Sequence, residues 1–282
     1  AETEDPIAIV ARLLGKAESV AIGDQTWATF LLALQEVLPN TRFEIASSLT
    51  REMRMRKDPA EIDALRRAAH ATDRVAARLR EIRFAGKREV DLSRLVADLV
   101  VDEGHQTATF SIVASGPNGA SPHHEPGERV IEPGDAVVVD FGGKLDGYCS
   151  DTTRMFHVGE PTQEYREIFA VLEEAQAAAV DSVRPGVAAQ AIDRTARAII
   201  EQAGYGDYFM HRTGHGIGLE AHEHPYLVEG NGLHLEPGMT FSIEPGIYLP
   251  DRFGMRIEDI VAVTGTGVER LNRSDRGLAV VS

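Results

Sequence analysis

The chain has 282 residues, enough for one large or two modest domains, with 43% hydrophobic and 26% charged residues, an ordinary balance for a folded globular protein. A formal charge of −15 argues against nucleic acid or an anionic membrane as a partner, and no apolar run is long enough to span a bilayer. The single cysteine, Cys149, excludes an intrachain disulfide and suits a reducing compartment, so a cytoplasmic setting is expected.

In chain order, residues 1–57 read as a small α/β domain, with a strand at SVAIGD (19–24) and an amphipathic helix at TWATFLLALQEVLP (26–39) stopped by Pro39. The chain begins at Ala1 and not at Met, which leaves room for a removed leader or an upstream region. The basic run Arg51, Arg54, Arg56 and Lys57 reads as a solvated junction. Residues 58–282 read as a second domain. Pro59 opens a long helix to about 83, with Ile62, Leu65, Ala69, Thr72, Val75, Ala76 and Leu79 on one face. Further helices are expected near 89–104, 163–182 and 187–203, and strands near 108–114, 135–142, 146–156, 239–247 and 255–264. This pattern is a mixed α/β (α+β) domain with a curved, mainly antiparallel sheet.

A nine-residue stretch occurs twice in that second domain. Residues 132–140 read EPGDAVVVD and residues 236–244 read EPGMTFSIE, so Asp140 and Glu244 hold equivalent places. A Pro-Gly turn followed by an apolar run is a strand entering a core, and an acid at its inner end is costly unless something positive meets it. The repeat extends upstream, where Gly86 and Gly104 bracket one helix-like stretch and Gly186 and Gly204 bracket its counterpart. Downstream, each carboxylate strand is followed by a second acid, Asp151 in SDTTR and Glu258 in MRIED. Duplicated helix-plus-hairpin units facing each other across a shared cation site explain this spacing.

A neutral nitrogen donor completes such a site, and His215 in HRTGHGIGLEAHEHP (211–225) is the candidate. Glycines at 214, 216 and 218 let the backbone pass close to a site or to another strand. Asp140, Asp151, His215, Glu244 and Glu258 suffice to hold two divalent ions about 3.5–4 Å apart with water as the nucleophile. An oxygen-rich set with a single imidazole suits Mn²⁺, with Co²⁺ or Zn²⁺ as alternatives. Cys149 reads as a small core residue and not a nucleophile, since no base is paired with it in the motif. The GHGIG glycines lack the preceding strand, spacing and following acid of a dinucleotide loop. His105, His157 and His234 read as surface or structural residues.

The order Asp, eleven on to Asp, His within GHGIG, Glu within IEPG and Glu within RIED resembles the metal-dependent peptidases of the pita-bread fold, a family that includes prolidase, aminopeptidase P and methionine aminopeptidase. The resemblance covers roughly residues 57–282. It places the metal ligands on Asp140, Asp151, His215, Glu244 and Glu258, and implies a pseudo-twofold pita-bread domain behind a partial N-terminal α/β domain about half the size of that in full-length relatives. It also implies a homodimer. His123, with adjacent His124 as the alternative, resembles the histidine that contacts the peptide beside the metals. His222 resembles the one that steadies the scissile carbonyl and its tetrahedral intermediate, and Glu244 the proton carrier. His211 resembles a substrate-pocket histidine, and Arg256 a residue at the substrate site that pairs with ligand carboxylates. Imidazoles suit these tasks because they titrate near neutrality and donate to an oxyanion or a leaving nitrogen.

Within the family, methionine aminopeptidases place the last Glu further on and follow it with His, whereas Glu258 lies fourteen residues after Glu244 and is followed by Asp259. With the junction-like segment MRMRKDPAEIDALRRAAH (53–70), this favours an Xaa-Pro peptidase acting on small peptides with proline second. A methionine aminopeptidase and a non-catalytic pita-bread binding protein are the alternatives. One departure bears on the substrate. Some prolidases carry an arginine at or after the HExP motif to hold a dipeptide's terminal carboxylate. Here Tyr226 follows His222-Glu223-His224-Pro225, and residues 223–243 contain no Arg or Lys. This weakens a strict dipeptidase assignment without establishing the aminopeptidase one.

Overall fold

The computed structural model describes residues 3–282; Ala1 and Glu2, at the head of the expected N-terminal domain, lie outside the described residues. The chain divides into two compact units after Arg54. In the first, α1 (Pro6–Leu14), α2 (Ala28–Val37) and most of α3 (Ser47–Met55) accompany a parallel pair, β1 (Ser19–Ile22) and β2 (Arg42–Ile45). Asp5 caps α1 by accepting from the Ile7 N–H, and Pro6 opens the helix. The sequence pattern marks β1 and α2. It does not mark β2, whose side chains are mostly exposed and so give no apolar alternation.

The second unit carries α4 (Pro59–Leu79), α5 (Glu89–Asp102), β3 (Thr107–Ser115), β4 (Ala136–Leu145), β5 (Tyr148–Cys149), β6 (Thr152–Val158), α6 (Gln163–Ser182) and α7 (Ala189–Gln202). After them come β7 (Gly214–Gly216), β8 (Glu223–Leu227), β9 (Thr240–Ile243), β10 (Gly246–Leu249), β11 (Phe253–Arg256), β12 (Asp259–Val263), β13 (Val268–Arg270) and β14 (Ala279–Val281). The strands form two five-stranded sheets and the β10–β11 hairpin. One sheet runs β14-β6-β4-β3 with β5 beside β4; the other runs β13-β12-β9-β7-β8. The order α4-α5-β3-β4-β6 is therefore repeated as α6-α7-β7-β9-β12. In each half the strand leading to the first acid is central, with antiparallel neighbours on both sides.

Hydrogen bonds confirm the duplication pair by pair. Gly86 N–H donates to Ile131 O as Gly186 N–H donates to Leu235 O, and Glu89 N–H to Arg129 O as Ala189 N–H to Leu233 O. Gly86 and Gly186 share a positive φ, +85° and +84°. One apolar core, with Val75, Leu92, Val96, Val139 and Phe141, belongs to the first half; the other, with Ile168, Leu172, Ile192, Phe241 and Val261, is built on the second and also takes in Ala114, Ala136, Val138 and Met155 of the first. These side chains recur at helical and strand spacing, which is why burial organises them into two layers.

Several elements differ from the sequence pattern for local reasons. Helix α4, opened by an Asp58–Glu61 capping box, ends at Leu79 and not near 83, because the chain turns so that Phe84 and Ala85 donate to the carbonyl of Ser282. The expected strands 146–156, 239–247 and 255–264 each break in two at Asp151, Glu244 and Glu258. At Glu244 the N–H still donates to Thr213 O, in register with the β7–β9 pairing, whereas Glu258 N–H donates across to Thr153 O in the other half. Lys57 is not solvated as the basic run implied. It is buried and bonds Glu223 at 2.6 Å, because a lysine so enclosed needs a carboxylate partner. Among the described residues, no helix is long and apolar enough to cross a membrane.

Candidate metal centre

The three strand breaks and β4 bring the predicted residues together in one cleft of about 820 Å³ lined by Asp140, Asp151, His215, Glu244 and Glu258, with His123, His211, His222 and Arg256 around them. Asp140 projects from the middle of β4, and Glu244 follows β9, its repeat equivalent. Asp151 and Glu258 immediately precede β6 and β12, again equivalent strands.

His215 sits on β7, between two glycines that cannot be replaced without collision: a Cβ at Gly214 would strike the Ser242 carbonyl, and one at Gly216 the carbonyls of His224 and Glu223. The close strands hold the imidazole inward. Its Nδ1 bonds the Gly216 carbonyl at 3.1 Å and is therefore the donor, which leaves Nε2 with a lone pair 3.3 Å from Glu244 Oε1 and 3.6 Å from Asp151 Oδ2. Burial pushes its pKa down to about 4, so the ring is neutral at neutral pH, the form that ligates.

The acids are held on one side and free on the other. Asp140 Oδ2 accepts from Arg256 at 2.7 Å, and Glu258 Oε2 accepts from Thr153 Oγ1 at 2.8 Å. Their other oxygens, Asp140 Oδ1 and Glu258 Oε1, are buried without a hydrogen-bond partner in the protein. Burial first, and then the neighbouring carboxylates, push Asp151 and Glu258 well above the usual carboxylate range. Uncompensated acids and orphaned oxygens at this density call for cations. Donor atoms of Asp140, Asp151 and Glu258, of His215, Glu244 and Glu258, and of Asp151, His215 and His222 lie within 4.8 Å of one another in each trio. The donor set fits hard or borderline divalent ions.

The surrounding histidines separate into two kinds. His123 is exposed on the cleft wall, whereas His124 is turned away, its Nε2 2.8 Å from Glu89. His222 lies with its ring centroid 4.0 Å from that of His215, and burial first, then the neighbouring His215 imidazole, disfavours its protonation and pushes its pKa down to about 4. His211 has both nitrogens engaged, Nδ1 with Arg212 O and Nε2 with Tyr248 Oη, each at 2.8 Å. Arg256 donates to Asp140, Tyr248, Thr153 and Pro122 O, so its guanidinium is committed to Asp140 and the cleft wall. Cys149 is buried on β5, and His105 bonds Val100 O and Ser150 Oγ, both structural.

Three contributors are absent from the sequence reading. Tyr248 links Arg256 to His211, but in an apolar strand it reads as core. Glu89 is a buried carboxylate at the start of α5 whose partners lie 26 to 38 residues away. Arg212 lines the cleft; its signal is its place inside HRTGHGIG, a charged residue beside a run that is otherwise buried.

Four carboxylates and a neutral imidazole, converging from the two halves of a duplicated α/β frame, define a metal-dependent hydrolytic centre. The chain belongs to metallopeptidase family M24, which matches residues 63–265, and it has that family's pita-bread fold. It is 47% identical to the probable dipeptidase PepE of Mycobacterium tuberculosis over 99% of this chain and 74% of that one. It is 40% identical to the Xaa-Pro dipeptidase of Pyrococcus furiosus over 84% of this chain and 68% of that one. Among solved structures it superposes on a dipeptidase from Pyrococcus horikoshii with a TM-score of 0.96 at 38% identity, covering 99% of this chain and 80% of that one. On a prolidase from Thermococcus sibiricus the TM-score is 0.95 at 41% identity, covering 98% and 77%.

Proposed function

We propose that this chain is a metal-dependent exopeptidase that hydrolyses the bond between an N-terminal residue and proline. The observation that carries the reading is the convergence of Asp140, Asp151, His215, Glu244 and Glu258 with two orphaned buried oxygens, in a chain whose relatives include Xaa-Pro dipeptidases. Those five residues would hold two divalent ions. When bound, such ions supply Lewis-acid polarisation of a carbonyl and make water nucleophilic at neutral pH.

The protein's own residues then do the remaining work. Glu244, less buried than Asp151 and Glu258, is the proton carrier; Ser242 Oγ donates to its Oε1 at 3.1 Å and orients it. His222, neutral and facing the cleft, donates a hydrogen bond to the oxyanion of the tetrahedral intermediate. The scissile amide to proline has no N–H, so a site that does not read that donor loses nothing. The proline nitrogen must still gain a proton as it leaves, and His123 on the cleft wall or Glu244 delivers it. Arg256 and His211, bridged by Tyr248, hold the wall against which the substrate lies.

The reading extends to manganese as the working ion, on the oxygen-rich donor set, to a cytoplasmic setting, on the lone buried cysteine, and to a homodimer, supported by exposed Leu13, Trp27, Leu49 and Met53 in the first unit. The test is a chelated protein reloaded with Mn²⁺, Co²⁺ or Zn²⁺ and assayed on Xaa-Pro, Xaa-Ala and Met-Ala substrates. Metal-dependent cleavage well above background on Xaa-Pro, and weak on the others, is expected. Undiminished activity after chelation, or better cleavage of Met-Ala, overturns it, the latter in favour of a methionine aminopeptidase.

A further inference from the structure

His222 is placed by a short loop and not by the sheet. Residues 217–222 connect β7 to β8, and Leu219, Glu220 and His222 in it are exposed. A loop with so little buried surface needs firm ends if it is to hold a side chain within the tolerance that a hydrogen bond to a developing charge demands. Near its start, Cys149 N–H donates to Gly218 O at 2.8 Å. At its far end stands Glu223, the first residue of β8, whose side chain is buried while that of His222 lines the cleft.

The buried carboxylate meets Lys57. Lys57 Nζ lies 2.6 Å from Glu223 Oε1, and the two side chains are 2% and 8% exposed. Neither residue lines the cleft. Lys57 is itself held through its backbone: its N–H donates to Gly238 O at 2.9 Å, in the Pro-Gly turn that opens the second EPG strand. Gly238, at φ +89°, has no room for a Cβ there because the Lys57 carbonyl occupies the space. The lysine stem and the Glu223 carboxylate pack onto Gly218, where an added Cβ would strike both Glu223 Oε1 and Lys57 Cε. The ion pair therefore ties both ends of the His222 loop, Gly218 and Glu223, to the turn that leads into β9 and Glu244. A buried pair of this kind adds little net stability over apolar side chains of the same volume. What it adds is one short, directional contact at a fixed point.

We propose that Lys57, acting through Glu223, is a positioning residue for His222: it sets the imidazole where the oxyanion develops and so controls turnover without touching the substrate. This rests on the oxyanion role given to His222 above and adds what holds that donor in place. An imidazole displaced by about 1 Å loses much of its value to the transition state, whereas substrate binding, set by the cleft walls, changes little.

The test is a mutant cycle on the metal-loaded protein, with kcat and KM measured on an Xaa-Pro substrate, metal per chain by elemental analysis, and melting temperature. Lys57→Met should lower kcat about 10- to 100-fold, with KM little changed and metal retained. Because Lys57→Met takes the cation from a buried carboxylate, the doubly neutral Lys57→Met/Glu223→Gln is measured beside it. That variant should melt closer to the wild type yet keep the kcat loss. In a His222→Ala background, where the group to be positioned is gone, neither change should lower kcat further. Losses that multiply in that background, a kcat that recovers along with the melting temperature in the doubly neutral variant, or wild-type kcat in both, would overturn the positioning role and leave His222 as the oxyanion donor. Undiminished kcat in His222→Ala alone overturns the oxyanion role beneath it, and the positioning role with it.

Discussion

His215 and His222 are neighbouring imidazoles with different surroundings. His215 has one nitrogen donating to Gly216 O and the other aimed at Asp151 and Glu244. His222 lies against it and is exposed to the cleft, and its nitrogen belongs to a trio with Asp151 and His215 that has ligand spacing. On the proposed role as oxyanion donor, His222→Ala lowers kcat by about 10²–10³-fold, the loss of one such donor, with two metals per chain retained by elemental analysis. A variant that loses metal, with turnover per bound ion unchanged, makes His222 a ligand instead.

A second residue-scale device is Glu89, buried at the start of α5. It accepts from Ser115 N–H and Oγ, each at 2.7 Å, from Asn118 Nδ2 at 3.0 Å, and pairs with His124 Nε2 at 2.8 Å. Burial alone would raise its pKa, but the bonds from Ser115, His124 and Asn118 together outweigh burial and hold it below the usual range. A carboxyl depressed in the folded state contributes stability above its unfolded pKa, and that stability is lost as pH falls through the folded value. Glu89→Gln should therefore cost about 1–3 kcal/mol at neutral pH and flatten the loss of stability on acidification. Denaturant midpoints measured from neutral to acid pH check this; an equally steep acid limb in the variant rejects it. Because Glu89 fixes the 115–127 segment and takes His124, it leaves His123 as the histidine presented to the cleft.

At the scale of elements, the site depends on strands that stop. Asp151, Glu244 and Glu258 each lie where an expected strand breaks, and β7 is three residues long between glycines packed against carbonyls of neighbouring segments. Gly216→Ala should cost about 1–3 kcal/mol as overpacking and weaken metal binding, since relief of the clash moves His215. Thermal melts and metal titration test the two effects; a full melt with full metal affinity contradicts the account. The sequence exposes this arrangement unevenly. The repeated EPG strands and the acids after them are visible because each recurs in the second copy, and helices α4 to α7 are visible through their apolar faces. The strand breaks are only partly visible: Pro245-Gly246 follows Glu244, but at Asp151 and Glu258 only the partner strands decide where the ladder ends. Lys57 was misplaced for the same reason: its partner Glu223 lies 166 residues away, and a basic run looks solvated until that contact exists.

At the scale of the whole catalytic unit, the two halves have separate sheets but share one apolar cluster, in which Val138 and Met155 of the first join Phe241 and Val261 of the second, and polar interactions join them as well. Behind the acids, Arg154 of β6 donates to Asp259 Oδ1 at 2.7 Å and to Glu258 O at 2.6 Å, while Gln176 donates to Asp259 Oδ2 at 3.2 Å. Both charged side chains of this pair are nearly fully buried, at 3% and 1% exposure, so removing Arg154 leaves Asp259 with Gln176 and the longer pairings to Arg270 at 3.4 Å and Arg276 at 3.9 Å. In front, Asp140 and Asp151 come from the first half, and His215, Glu244 and Glu258 from the second, so bound ions would join the halves at the opposite face of the same seam. Two perturbations should then report on one boundary. Arg154→Met should lower stability by less than the ~3–5 kcal/mol of a fully uncompensated buried charge, since Arg270 and Arg276 still face Asp259. Stripping the metal should lower the melting temperature because ions bind the folded state alone, by an amount equivalent to about 2.7 kcal/mol when the ion had been present at a hundredfold its Kd. Since Arg154 also holds the Glu258 backbone, the loss on stripping should be smaller in Arg154→Met than in the wild type. Calorimetry on the four samples measures this coupling; strictly additive losses would show that the rear network and the metal site do not share the seam.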